Sequence, residues 1–178
     1  MTKARTLATF DTTNINPANL DATGTIPSAL LAGIGGGTIL GIARATNQAA
    51  ELMASSTFNS TGIYLTYTPT SATSKLLVMA SSPQGYSNGT ITLTAAIYMG
   101  TGGEGSGSAI QTCLLEGQTA GNNRSPLSMT AYVPASSVTT SATTFTVMHK
   151  NSNNASLVGW YESLPNSLPE LIVMEIAA

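Results

Sequence analysis

Between residues 90 and 99 the chain alternates without a break: Ile91, Leu93, Ala95, Ile97 and Met99 fall on one side, and Thr90, Thr92 and Thr94 open the other. A period of two commits a segment to a half-buried β-strand, because successive side chains of extended backbone point to opposite faces. Shorter runs of the same kind recur at 38–45, 62–68, 75–80, 109–116, 127–133, 143–150, 156–161 and 171–176, each bounded by turn-forming residues. The pattern predicts eight or nine strands, with one helical turn expected at 48–53 before Ser55, Ser56 and Thr57 end it. Strands at this spacing, with no strong helix between them, point to an all-β antiparallel sandwich or barrel and away from βαβ units. A jelly roll is the first choice, because the count is near eight and the loops vary too much in length for a meander. The threonine face of 90–99 is expected to be solvated or packed against another chain.

Residues 1–37 lack this cadence. One or two helical turns are expected within 26–33, where Pro27 suits a helix start and Gly33 a stop. Gly35, Gly36 and Gly37 then mark a boundary between an N-terminal anchoring arm, 1–37, and a β-sandwich domain, 38–178. Leu7, Phe10, Ile15, Leu20, Ile26, Leu30, Leu31 and Ile34 are spaced too widely along the arm for a core of its own. They suit shallow pockets on a partner, and such a segment orders on binding.

Composition narrows the function. Charged residues are 8% of the 178, against about a quarter in an average globular chain, so serine and threonine carry the solubility. Six dispersed basic side chains and a net charge of −2 offer no stripe for phosphates, which argues against nucleic acid. No window approaches the ~20 apolar residues of a membrane-spanning helix, so membrane insertion is not expected. Lys3 and Arg5 are followed by Phe10-Asp11-Thr12-Thr13-Asn14 where a secretory signal needs an apolar stretch, so no cleaved signal is expected. Cys113 is the single cysteine, which precludes an intrachain disulfide and fits synthesis in a reducing host cytoplasm.

Catalytic chemistry finds few candidates. His149 is the single histidine and ends a predicted strand, a rim position more often than a general base. Ser106 lies between Gly105 and Gly107, but no apolar strand enters that turn and no helix leaves it, as a nucleophile elbow requires. One cysteine and one histidine cannot ligate zinc, and Asp11 and Asp21 lack the spacing of a calcium loop, so no metal is expected. The glycine-rich stretches lack the Lys-Ser/Thr ending of a phosphate loop, and no cofactor is expected. Glu51, Glu104, Glu116, Glu162, Glu170 and Glu175 leave open a facing carboxylate pair of the glycosidase kind, although most border turns. Among the aromatic side chains Tyr86, in a predicted loop of Ser, Pro, Gly and Asn, is the candidate for surface recognition of a glycan or receptor.

Two segments carry a family resemblance. Tyr67-Thr68-Pro69-Thr70-Ser71-Ala72-Thr73-Ser74-Lys75-Leu76-Leu77-Val78 resembles the T-P-x-S-x-x-S-K-(I/L)-L-V stretch in C-terminal domains of bacteriophage tail fibres and related virion surface proteins. Leu171-Ile172-Val173-Met174-Glu175-Ile176 resembles the I-x-V-M-E-I strand that closes those domains, and Thr38-Ile39-Leu40 is similar to their opening strand. Pro165 to Glu170 departs from the hydroxyl-rich lead-in of the family. The resemblance implies a homotrimeric, non-enzymatic β-sandwich on a virion surface, with no catalytic residues to carry over. An arm with no heptads or repeats reads as an anchor and not a shaft. The sequence therefore points first to a trimeric capsid decoration (cement) protein on the capsid exterior. Its expected partners are its own copies and, through the arm, the major capsid protein or another virion protein, with a possible part in host attachment. The alternative is a short tail fibre or tailspike tip that binds a host surface receptor.

Overall fold

Alternation of buried and exposed residues along β3, Asn59–Tyr67, puts Thr61, Ile63 and Leu65 on one side and Gly62, Tyr64 and Thr66 on the other, and the same rule runs through most of the chain. The computed structural model describes residues 38–46, 51–88, 92–115, 122–152, 158–161 and 168–178; at 51–53, 83–88, 122–124 and 158–161 the description is of the backbone. The arm residues singled out above lie outside it.

The remaining strands are β1 (Ile39–Thr46), β2 (Glu51–Met53), β4 (Lys75–Asn88), β5 (Leu93–Gly100), β6 (Ser108–Leu115), β7 (Asn122–Val133), β8 (Thr143–Asn151), β9 (Val158–Tyr161) and β10 (Glu170–Ile176). All their pairings are antiparallel, and they form two sheets. One runs β1-β10-β4-β7, with the short pair β9-β2 continuing along the edge of β4 beyond β10. The other runs β3-β8-β5-β6. Leaving aside the short pair, successive strands cross from sheet to sheet except at the β5–β6 hairpin, and the resulting orders β1-β10-β4-β7 and β3-β8-β5-β6 are jelly-roll wiring.

The core lies between the sheets. Leu76, Val78, Ala80, Met129, Ala131, Val133, Leu171 and Val173 face Ile63, Leu65, Leu93, Ala95, Ile97, Phe145 and Val147 across the sandwich. Full burial of a single side chain such as Phe145 contributes about 1.5–3 kcal/mol.

Two expectations are corrected by the backbone. Residues 51–53 form a strand paired with Val158, Gly159 and Trp160 and not part of a helical turn. The segment holding Tyr86 is not a loop: β4 continues through it, and Tyr86 pairs with Arg124 of β7 on one edge and Gly159 of β9 on the other. The turn signal of Pro83 and Gly85 is absorbed by a bulge, since the register with β7 shifts between Ser82 and Gly85. A bulge is one of the few places in a sheet that tolerates a residue without an N–H.

Candidate functional site

The segments that carry the family resemblance meet at one buried carboxylate. Glu175, on the inward face of β10, is 0% exposed. Beside it the β3–β4 connection turns so that consecutive backbone N–H groups point at one anion, a small nest. Thr70 N–H donates to the two carboxylate oxygens at 2.9 and 3.0 Å, Ser71 N–H donates at 3.2 Å, the Thr70 hydroxyl at 2.9 Å and the Tyr67 hydroxyl at 2.8 Å. Burial alone would raise the pKa of this acid. The Ser74 hydroxyl and the donors on Thr70 and Tyr67 outweigh burial and bring it down to about 2. The Ser74 hydroxyl lies in the same buried cluster and falls short of well-formed hydrogen-bond geometry. Tyr67 shows the converse: burial, then its bond to Glu175 and the negative charge there, push its hydroxyl up to about 12. The opening strand closes the cage. Gly41 pairs with Glu175, and a Cβ on it would lie 2.3 Å from the Tyr67 hydroxyl, which Glu175 holds in place.

With its lone pairs committed to five hydrogen bonds, Glu175 serves as a structural lock. Nor does it pair with Glu170, which projects from the opposite face of the same strand and meets Arg44 at 2.8 Å. Glu104 accepts from the Ser60 hydroxyl.

His149 departs from its expected rim position. Its partner across β5 is Ala95, a core residue, so parity points its ring inward, and it is 1% exposed. Burial lowers its pKa to about 4, and its Nδ1 has no hydrogen-bond partner among the described residues. Among the described residues no group of three or more His, Cys, Asp or Glu is placed to hold a metal ion.

The outward faces of the two sheets differ. On the β3-β8-β5-β6 sheet the chain covers the two central strands, while Tyr64 and Leu114 on the outer strands stay 46 and 64% exposed: the β5–β6 loop folds back so that Gly105 N–H donates to the Thr146 hydroxyl at 3.0 Å and the loop lies against Met148. Gly107 makes this return possible, with a φ of 86° and no room for a Cβ beside the Met99 carbonyl. Phe58 adds to the cover, its ring 5.4 Å from that of Tyr98 and 4.7 Å from the Lys150 ammonium. The threonine face of β5 is therefore not the open surface expected. Ala96 on it is fully buried, and Thr92 and Thr94 are half-buried.

Among the described residues the β1-β10-β4-β7 sheet has no such loop over its central strands. Register places Ile42, Met174, Leu77 and Tyr132 in one outward row across its four strands, with Arg44, Ile172, Met79 and Thr130 in the next. Ile39 and Ile176 begin a third row on the apolar side of these. Ile42 is 60% exposed and Tyr132 59%, at the two outer strands, while the central side chains are half-buried. Thr46, Glu170, Ser81 and Ser128 form the polar end. A shallow depression of about 240 Å³ opens there, bordered by Met79, Ser81, Ser128, Thr130, Glu170 and Ile172. A continuous apolar face on a folded domain marks an interaction surface. This face is the candidate functional site. The signal in the sequence was that 76–80 and 171–174 are apolar on both faces of their strands.

The described residues thus form an all-β sandwich with a locked core, one outward face whose central strands are covered by the β5–β6 loop and Phe58, and one outward face that carries exposed apolar rows. No protein-family model matches the chain, and no curated protein matches it. Among solved structures it is similar to a chain in the structure of the infectious bursal disease virus Gx strain. That likeness has 15% sequence identity and a TM-score of 0.34, and it covers 77% of this chain and 36% of that one. This chain spans little more than a third of that neighbour's length.

Proposed function

We propose that the protein is a non-enzymatic structural component of a bacteriophage virion, a trimeric decoration (cement) protein that attaches to the capsid exterior through residues 1–37 and projects its sandwich. The observation that carries this reading is the Glu175 cage. The two motifs that resemble virion surface domains, far apart in sequence, meet there, Tyr67 to Ser74 from the T-P-x-S stretch and Glu175 from the closing strand, with Gly41 beside them on the strand that begins at the weaker Thr38-Ile39-Leu40 match. Their meeting supports reading the resemblance as that of one structural unit. A charge-poor surface supports it as well, since subunits meet without burying unpaired ions.

Antibody labelling of particles tests the reading. Many copies over the capsid are expected, and label confined to tail tips would replace it with the tail-fibre alternative. Removal of residues 1–37 is expected to leave a folded sandwich that no longer attaches to capsids; full occupancy by the shortened chain would remove the arm from the account.

A further inference from the structure

We infer that the end of the sandwich at which residues 1–37 join it is a docking platform, covered by the virion protein that the arm grips, with the opposite end turned outward. The inference rests on the arm-anchored reading above and adds a second contact to it.

Strand register defines this end. Ile39, Ile176, Lys75 and Val133 close one sheet here, and Tyr67, Thr143, Gly100 and Ser108 close the other. Two connections pass from sheet to sheet between them, 68–74 and 134–142. The chain enters beside them, where Ala177 N–H donates to the Thr38 carbonyl at 2.8 Å, two residues beyond the caged Glu175. Ile34, the last apolar residue of the arm, precedes Thr38 by four residues, a span of at most ~14 Å even when fully extended. A surface that holds Ile34 therefore lies within that reach of Thr38, whereas the far ends of strands eight or nine residues long stand roughly 25 Å further along. The shortness of the tether selects the end that meets the partner.

Both connections are built in advance. Glu175 holds the 68–74 turn through Thr70 and Ser71, and Ser74 N–H closes it on the Ser71 carbonyl at 3.2 Å. In the other, the 3-10 turn Ala135–Ser137 leads into Val138, which plugs the core at 7% exposed. Docking on turns already fixed in this way costs little ordering entropy.

Composition sets the chemistry of the partner. The sixteen residues of the two connections hold ten Ser or Thr and no charged residue. Thr70, Thr73, Ser136, Ser137, Thr139 and Thr140 are exposed. Short hydroxyl side chains have little rotamer freedom to lose, and a surface without ions is covered with no charge desolvated. The partner surface is accordingly a protein surface of low charge that offers hydrogen-bonding groups, met directly or through bound water. With the arm bound, the tether presents the platform at an effective concentration in roughly the millimolar range, so a contact too weak to hold the sandwich alone still adds to the arm's grip.

Thiol labelling on particles tests this, in the full-length chain with Cys113→Ala and either Thr140→Cys, on the platform, or Gln111→Cys, on β6; both positions are exposed. The β-sheet circular dichroism of each variant is the folding control. In the free protein both are expected to react alike with a maleimide-linked polyethylene glycol. On virions assembled without the protein and then decorated with each variant, labelling at 140 is expected to fall by about tenfold or more, since a covered thiol is reached only on dissociation, while labelling at 111 stays within about twofold. Equal labelling at the two positions, or protection at 111 alone, overturns the platform and leaves the arm standing, provided that removal of residues 1–37 still abolishes attachment. A shortened chain that decorates fully, or a full-length chain that attaches to no virion, overturns both. Should Thr140→Cys fail to fold, occupancy at limiting concentration decides: Thr73→Arg is expected to lower it by about tenfold and Gln111→Arg by less than about twofold, and the reverse order overturns the platform.

Discussion

Glu175 and His149 are both sealed within the sandwich, at 0 and 1% exposure, and burial presses each of them towards its neutral form. Only the histidine yields. Its pKa falls to about 4 under burial, with no partner at Nδ1 among the described residues, and it stays neutral at pH 7. The carboxylate goes the other way, to about 2, because hydrogen-bond donors are already aimed at it. Burial sets the cost of charge, and preorganised donors decide whether that cost is met.

Removing the acid should break this contrast with the largest effect. Glu175→Ala leaves the Thr70 and Ser71 N–H groups and the Tyr67 hydroxyl without an acceptor, which is expected to cost about 3–5 kcal/mol in urea unfolding. The next test is pH. The folded pKa of His149 lies below its ordinary 6.5, so the unfolded chain takes up the proton first as pH falls. Its contribution is complete above pH 6.5 and is expected to be lost, by roughly 3 kcal/mol, as pH falls towards 4. His149→Leu should flatten that limb. Glu175 loses its contribution only below its unfolded pKa of 4.5, down to about 2. Tyr67, with a raised pKa, loses its own as pH rises from 10 to about 12.

A double-mutant cycle sharpens the comparison at the cage itself. Gly41→Ala drives a Cβ into the Tyr67 hydroxyl and is expected to cost about 1–3 kcal/mol. In a Tyr67→Phe background the same change should cost much less, and strict additivity would show that the hydroxyl is not the obstacle. The smallest effect is expected at the exposed acid of the same strand. Glu170 meets Arg44 with side chains 30 and 61% exposed, so Arg44→Ala should cost less than about 1 kcal/mol.

Strand periodicity made most of the fold legible, because β5, β8 and β10 each bury a core row that alternates in the sequence. The three-residue β2 is too short to show a period. The second half of β4 was hidden by Pro83, Gly85 and Asn88, local turn formers overridden by pairing on both edges of the strand. Parity with Phe145 and Val147 pointed His149 inward, but its place at the strand end pointed to the rim, and parity prevailed. The cage was visible only as two unconnected motifs, since Thr70 and Glu175 lie 105 residues apart and nothing local requires their meeting. Which threonine face is open depends on where the glycine-rich loop returns, and that is a tertiary choice.

The position of β10 bears on how a nascent chain matures. It lies between β1 and β4, pairing Val173 with Ala43 on one side and Val78 on the other. Until it emerges from the ribosome, β1 lacks the only pairing seen for it among the described residues, and β4 keeps an open edge along Lys75 to Ser81. Contacts between such distant segments form slowly, because a long loop must close before any contact rewards it. A chain halted short of residue 170 would therefore present two unpaired edges at once, both templates for β-augmentation by a neighbouring chain. Sheet closure is late, and a single strand completes it.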